Sequence, residues 1–186
     1  DALPIFPWVD FYNDVYQSMT LKPVPNDSLH YFKNVCRLAS RTWQLQHFIA
    51  ARCNIADDGP LNVQHITEAM RRNHGLKLLD LSHNIISNRG CVPLSELIGH
   101  TTTLTALDIS YNRIGEEGFS FLSNALKVNV TLKMLDVSNN RLAPGSAVDV
   151  GNFLRLNFNL VDLRLNNCRF DDDSRSEERR VGKECR

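Results

Sequence analysis

Four nine-residue strings recur in one register along the chain. They are LKLLDLSHN from Leu76, LTALDISYN from Leu104, LKMLDVSNN from Leu132 and LVDLRLNNC from Leu160. Their starting positions are evenly spaced. A fixed stride of this length leaves few folds open. Each period must supply one compact unit that buries its apolar side only against the next copy. The apolar positions are Leu76, Leu79 and Leu81; Leu104, Leu107 and Ile109; Leu132, Leu135 and Val137; Leu160, Leu163 and Leu165. Their spacing predicts a short strand whose alternate side chains point inward.

Asn84, Asn112, Asn140 and Cys168 end the strings. Their side chains are expected to satisfy backbone groups of the turn that follows, which burial would otherwise leave unpaired. Ile86, Ile114, Leu142 and Phe170, two residues on, return to the core. Gly90 and Gly118 share one register position, where a turn or a tight start to a helix needs a small residue; the third repeat has Ser146 there, after Pro144 and Gly145. The second half of each period reads as helix. Leu94, Leu97 and Ile98, then Leu122, Ala125 and Leu126, then Val150, Phe153 and Leu154 carry one apolar face. Parallel strands need a crossover, and these helices supply it.

Upstream, Leu45, Phe48, Ala50 and Cys53 fit the same string with conservative changes, and Ile55 follows as Ile114 does. Asp57-Asp58-Gly59 aligns by eye with Glu116-Glu117-Gly118. This repeat, from Leu45 to Gly75, is slightly longer than the others. The excess is expected around 60–63, before a helix carrying Ile66, Ala69 and Met70. Ala50 fills less space than leucine, so a thinner core is expected there.

The pattern L-x-x-L-x-L-x-x-N/C is the leucine-rich repeat signature. The repeat length and the LDLSxNxI wording resemble the ribonuclease-inhibitor-like class. Its members include ribonuclease inhibitors, sensor arms of NOD-like receptors, Ran GTPase-activating proteins, tropomodulins and a ciliary dynein regulatory subunit. The resemblance covers about two thirds of the chain. It implies an α/β fold: a curved leucine-rich-repeat solenoid with parallel strands on the concave face and helices on the convex face. The repeats are assigned to 45–75, 76–103, 104–131, 132–159 and a truncated 160–174.

Residues 6–44 are harder to read. Phe6, Trp8, Phe11, Tyr12 and Tyr16 open an aromatic-rich start, and Thr20 to Pro25 reads as extended. Asn26-Asp27-Ser28 offers an N-cap for a helix from Leu29 to about Ser40, with Leu29, Phe32, Cys36, Leu38 and Ala39 on its apolar face. This segment is either the helical half of a degenerate repeat or an N-terminal cap, and the cap is the favoured reading. Both ends resemble translated sequencing adapter: Asp1 to Ile5, and RSEERRVGKECR from Arg175. They are set aside from fold reasoning, so the chain reads as a fragment of a larger protein. The acidic run Asp171-Asp172-Asp173 lacks EF-hand spacing and reads as a solvated loop.

Lys+Arg and Asp+Glu are both 21, so net charge does not point to nucleic acid or membrane, and no apolar run approaches the ~20 residues of a membrane span. Five cysteines with no C-x-x-C spacing fit a reduced, cytoplasmic setting without zinc. The sequons at Asn26 and Asn129 are read as chance. No nucleophile motif, P-loop, HExxH or dinucleotide fingerprint is present. The chain is therefore expected to be no enzyme, to use no cofactor and to take no small-molecule substrate.

In this repeat class the outward strand positions line the concave face. The resemblance places there the row Asp80, Asp108 and Asp136 followed by Arg164, and the more variable column His83, Tyr111, Asn139 and Asn167. The row favours a basic partner, and Tyr111 is the best single anchor. The expected function is a protein-interaction scaffold gripping another protein on this face. The alternatives are a Ran-type GTPase-activating regulator, the sensor arm of an NOD-like receptor, and an axonemal or cytoskeletal scaffold.

Overall fold

The computed structural model describes residues 9–12, 17–23, 29–59 and 61–170. The two adapter-like ends, the Asn26-Asp27-Ser28 cap, the side chains of the aromatic-rich start and the Asp171–Asp173 run lie outside the described residues.

Among these residues, seven strands form one sheet in chain order: β1 (Val9–Tyr12), β2 (Ser18–Leu21), β3 (His47–Ile49), β4 (Leu78–Asp80), β5 (Ala106–Asp108), β6 (Met134–Asp136) and β7 (Asp162–Arg164). β1 pairs with β2 antiparallel, and every later pairing is parallel. The crossovers are α1 (Leu29–Arg41), α2 (Val63–Arg71), α3 (Cys91–His100), α4 (Glu116–Leu126) and α5 (Ser146–Leu154). Each helix packs on the next in chain order. Neighbouring strands sit ~4.8 Å apart and packed helices ~8–10 Å apart. A stack with strands on one side and helices on the other must therefore bend toward the strands, and the sheet becomes the inner wall.

The inward ladder is as expected. Leu76, Leu79, Leu81, Leu104, Leu107, Ile109, Leu132, Leu135 and Val137 are buried in one continuous core. Leu160, Leu163 and Leu165 are only partly buried, because no helix follows β7 among the described residues. For the same reason Leu154, expected on the buried face of α5, is 43% exposed, whereas Phe153 is fully covered and stacks edge-on with Phe119.

At the chain's start, β2 overlaps the segment read as extended, Thr20 to Pro25, only at Thr20 and Leu21. Met19 and Leu21 of β2 occupy the inward positions taken later by Phe48 and Ala50. β2 and α1 together thus make a strand–helix unit of the stack, and β1 folds back as an antiparallel edge. Neither strand was legible in the sequence.

In the longer repeat, 45–75, the extra residues lie before α2, in a turn where Gly59 takes φ 98°. This displaces the expected equivalence of Asp57-Asp58-Gly59 with Glu116-Glu117-Gly118. Gly59 has open space around it, and Asn62 stands at the register position of Gly90 and Gly118. Asn62 caps α2 by accepting from His65 N–H at 3.0 Å. Gly90 and Gly118 are required by closeness and not by φ. A Cβ on Gly118 would lie 2.8 Å from the Asn88 Cα, and one on Gly90 would strike the Asp57 carboxylate.

The turns are held by Asn84, Asn112 and Asn140. Asn112 Nδ2 donates to the carbonyls of Ile109 and Ser110 in its own repeat and of Leu81 in the preceding one, and its Oδ1 accepts from Ile86 N–H. Asn84 and Asn140 make the same bonds one period away. The thiols of Cys53 and Cys168 keep only the donor half, to Leu21 O and Ala51 O, and to Val137 O and Asn166 O.

A second row stands at the opposite end of the strands. Asn73, Thr101, Asn129 and Asn157 recur at the same stride. They accept from the N–H groups just ahead of the strand, as Asn129 does from Thr131 and Leu132. Asn129 is 4% exposed, and its Nδ2 donates to Ile98 O, so the folded chain offers no glycan acceptor there.

Truncating Asn112 to alanine leaves the Ile86 N–H without its acceptor in a buried turn and removes one of two donors from each of the Leu81, Ile109 and Ser110 carbonyls. Asn112→Ala should cost about 2–4 kcal/mol in urea unfolding, against less than about 0.5 for the exposed Asn167→Ala. Gly118→Ala should cost about 1–3 kcal/mol. Gly151→Ala, which places a methyl in open space on α5, should raise stability by about 0.5–1 kcal/mol in the same measurement.

Candidate interaction surface

The outward side chains of the sheet follow from register. Pairing aligns Ile49, Asp80, Asp108, Asp136 and Arg164 across five strands. The acidic row is therefore contiguous, and Arg164 closes it at one end, 3.9 Å from Asp136 and 2.7 Å from Asp162.

Each aspartate also has a local task. Its Oδ1 accepts the N–H of the serine two residues on: Ser82 at 2.9 Å, Ser110 at 2.9 Å and Ser138 at 2.8 Å. One carboxylate oxygen per repeat thus fixes the turn, and the other faces outward. The wording LDLS is accounted for by this bond whether or not a partner binds.

Asp108 sits between the other two. Partial burial lifts its carboxyl above the ordinary value, the Ser110 backbone and side-chain hydrogen bonds oppose the lift, and the charges of Asp80 and Asp136 add to it. A carboxyl raised in the folded state favours folding when protonated and disfavours it when ionised.

The column at the strand ends is brought together as well. Arg52, His83, Tyr111, Asn139 and Asn167 all take left-handed backbone conformations, with φ between 54° and 59°. Asparagine and histidine visit this region more readily than most residues, but arginine and tyrosine rarely adopt it. The conformation turns the chain sharply off the strand and sets the side chains along the rim. The His83 and Tyr111 rings stack with centroids 4.0 Å apart and planes within 9°. Tyr111 is half exposed. Asn167 Nδ2 donates to Asn139 Oδ1 at 3.1 Å. His83, Tyr111, Asn139 and Asn167 line an open groove of about 480 Å³ together with Arg141 and Arg169. The eight residues singled out from sequence thus fall into two sets, a row aligned by strand register and a column lining the groove at the strand ends.

A further regularity lies one residue beyond the repeat signature. Arg113, Arg141 and Arg169 keep the stride of the repeats and directly follow the buried Asn/Cys position. Aligning the repeats one residue beyond the signature reveals the row.

The thiols of Cys36, Cys53, Cys91 and Cys168 are buried and free. Burial pushes Cys36 up to about 12, and burial with Asp80 does the same to Cys53. Burial, with Asp57 adding, raises Cys91 further. Such thiols are poor nucleophiles. Among the described residues no His/Cys/Asp/Glu group is arranged to hold a metal, and no helix is long and apolar enough to cross a membrane.

Comparison with known proteins agrees with this architecture. Residues 72–95 and 100–123 match the Leucine Rich repeat family model. Among solved structures, the chain is similar to leiomodin-1 actin-binding site 2, at 18% identity and a TM-score of 0.63, over 88% of this chain and 99% of that one. It is similar to the same degree to the tropomodulin C-terminal domain of Caenorhabditis elegans, at 17% identity and a TM-score of 0.63, over 83% and 98%. No curated protein matches it in sequence.

The Asp108 carboxyl should titrate above the ordinary aspartate range when followed by carboxyl-carbon NMR. Asp108→Asn, which keeps an acceptor for Ser110 N–H, should raise the midpoint of thermal unfolding at pH 7. The gain should disappear as pH falls below the carboxylate range, where the wild-type group is already neutral. Stride, parallel register and structural likeness together make this a leucine-rich-repeat fold.

Proposed function

We propose that the protein is a non-enzymatic interaction scaffold of the cytoplasm that binds another protein on its concave face. One observation supports this above the rest: the backbone of the inner wall is tied by the sheet and the asparagine rungs, while the side chains projecting from it change from repeat to repeat. A rigid frame with variable exposed residues loses little entropy on binding and can be selective. Asp80, Asp108 and Asp136 present one outward carboxylate oxygen each, Arg164 bounds them, and Tyr111 stacked on His83 offers a preordered aromatic anchor. The ribonuclease-inhibitor-like wording of the repeats fits such a role.

Among the alternatives, a cytoskeletal scaffold has a specific observation in its favour. The solved structures it resembles include one described as an actin-binding site, which makes actin the first partner to test.

The test is co-sedimentation with filamentous actin, alongside affinity capture of other candidate partners, comparing wild type with a Tyr111→Ala, Asp108→Lys variant. Recovery should fall by on the order of tenfold or more in the variant, with far-UV circular dichroism unchanged. Equal recovery from an equally stable variant would move the interface off the concave face.

A further inference from the structure

We infer that the rim beside the concave face is a docking strip for an acidic, extended segment of a partner protein, held by the row Arg113, Arg141 and Arg169. This deepens the scaffold reading and rests on it.

The row is built into the turns. Arg113 N–H donates to Ile86 O and Arg141 N–H donates to Ile114 O, each at 2.8 Å, so each arginine is fastened to the repeat before it. Their spacing is set by the stack and not by side-chain choice. Arg113 and Arg141 are exposed. Neither makes an ion pair among the described residues. Arg71, Arg89 and Arg164, by contrast, each face a carboxylate. Cations stacked about one strand spacing apart repel one another, and planar guanidinium groups bind carboxylates in bidentate fashion. An acidic ligand relieves the first and satisfies the second.

The neighbouring column suits a peptide backbone. The Asn167–Asn139 hydrogen bond leaves Asn139 Nδ2 and Asn167 Oδ1 without partners among the described residues. They are one donor and one acceptor, the complement of a peptide group. The His83–Tyr111 stack supplies a flat wall where the segment leaves the groove.

Three turns span about 10 Å, the length of roughly three extended residues. Carboxylates on alternate residues, as in Glu-x-Glu, lie about 7 Å apart, within side-chain reach of arginines on two adjoining turns. The repeats of Arg113 and Arg141 carry Asp108 and Asp136 on the adjoining face, which disfavours a long continuous polyanion and selects a short segment with spaced charges.

The probe is a fluorescein-labelled GESEGEG peptide, measured by fluorescence anisotropy against the whole chain at about 0.05 M salt, where charge pairing is weakly screened. Wild type should bind it. Arg113→Gln with Arg141→Gln, and separately a GQSQGQG peptide, should each weaken binding by about tenfold or more. Asp108→Asn should leave it equal or tighter. Unchanged melting of the arginine variant shows that the fold is kept.

Undiminished binding by that variant, or no binding by wild type, overturns the proposal. So does a same-length oligothymidylate that binds more tightly through the same arginines, which would make the strip a nucleic-acid surface. If the peptide fails while partner recovery still depends on Asp108→Lys alone, the docking strip falls and the scaffold reading stands.

Discussion

A buried amide at the end of each strand is the contact on which the rest of the molecule depends. The chain must leave the sheet abruptly after three strand residues, and that exit buries carbonyl and N–H groups no ladder can pair. One asparagine answers several of them at once, and bonds from both its donor and its acceptor atoms cross to the preceding repeat. An unpaired buried amide or carbonyl costs more than a hydrogen bond gains, so these rungs fix the stacking distance as firmly as the leucines do. The row of Asn73, Thr101, Asn129 and Asn157 acts likewise on the strand's other end. Each repeat is pinned at both ends of its strand, and the apolar ladder fills what lies between.

The surface follows from that frame. Because successive turns are locked at one spacing, anything placed one residue before or after the amide becomes a row. The residue before it is left-handed and forms the column with the His83–Tyr111 stack. The residue after it forms the arginine row. Four residues before it come the aspartates, which hold their own turns through one oxygen and face outward with the other. The scaffold therefore sets two rows of opposite charge on adjoining strips, separated by polar amides and an aromatic pair.

Regular repeats were the legible part of the fold. The aliphatic ladder, the helices that cross back and the asparagine positions could be read because each recurs in one register and has one physical task. The second amide row has the same stride but mixes asparagine with threonine, and it escaped notice. So did the arginines, which lie just outside the signature. The irregular ends were less readable. β2 has Met19 and Leu21 inward but no leucine string, and the Gly59 turn shifts the register so that a by-eye match of acidic residues to the next repeat fails. Leu154 belonged to an apolar pattern that ignores whether a neighbouring helix exists to cover it.

Sequence alone determined the stride, the inward side of every leucine-bearing strand, the strand–helix alternation and which residues lie on the outer strand face, because each follows from local periodicity and the need to bury apolar surface. Tertiary structure decided what those outer residues do to one another. It placed Asp80, Asp108 and Asp136 in line, brought His83 onto Tyr111, bonded Asn167 to Asn139 and, among the described residues, left Arg113 and Arg141 without carboxylates. These relations join residues one full repeat apart, and they exist only once parallel pairing has brought those positions within one strand spacing of each other.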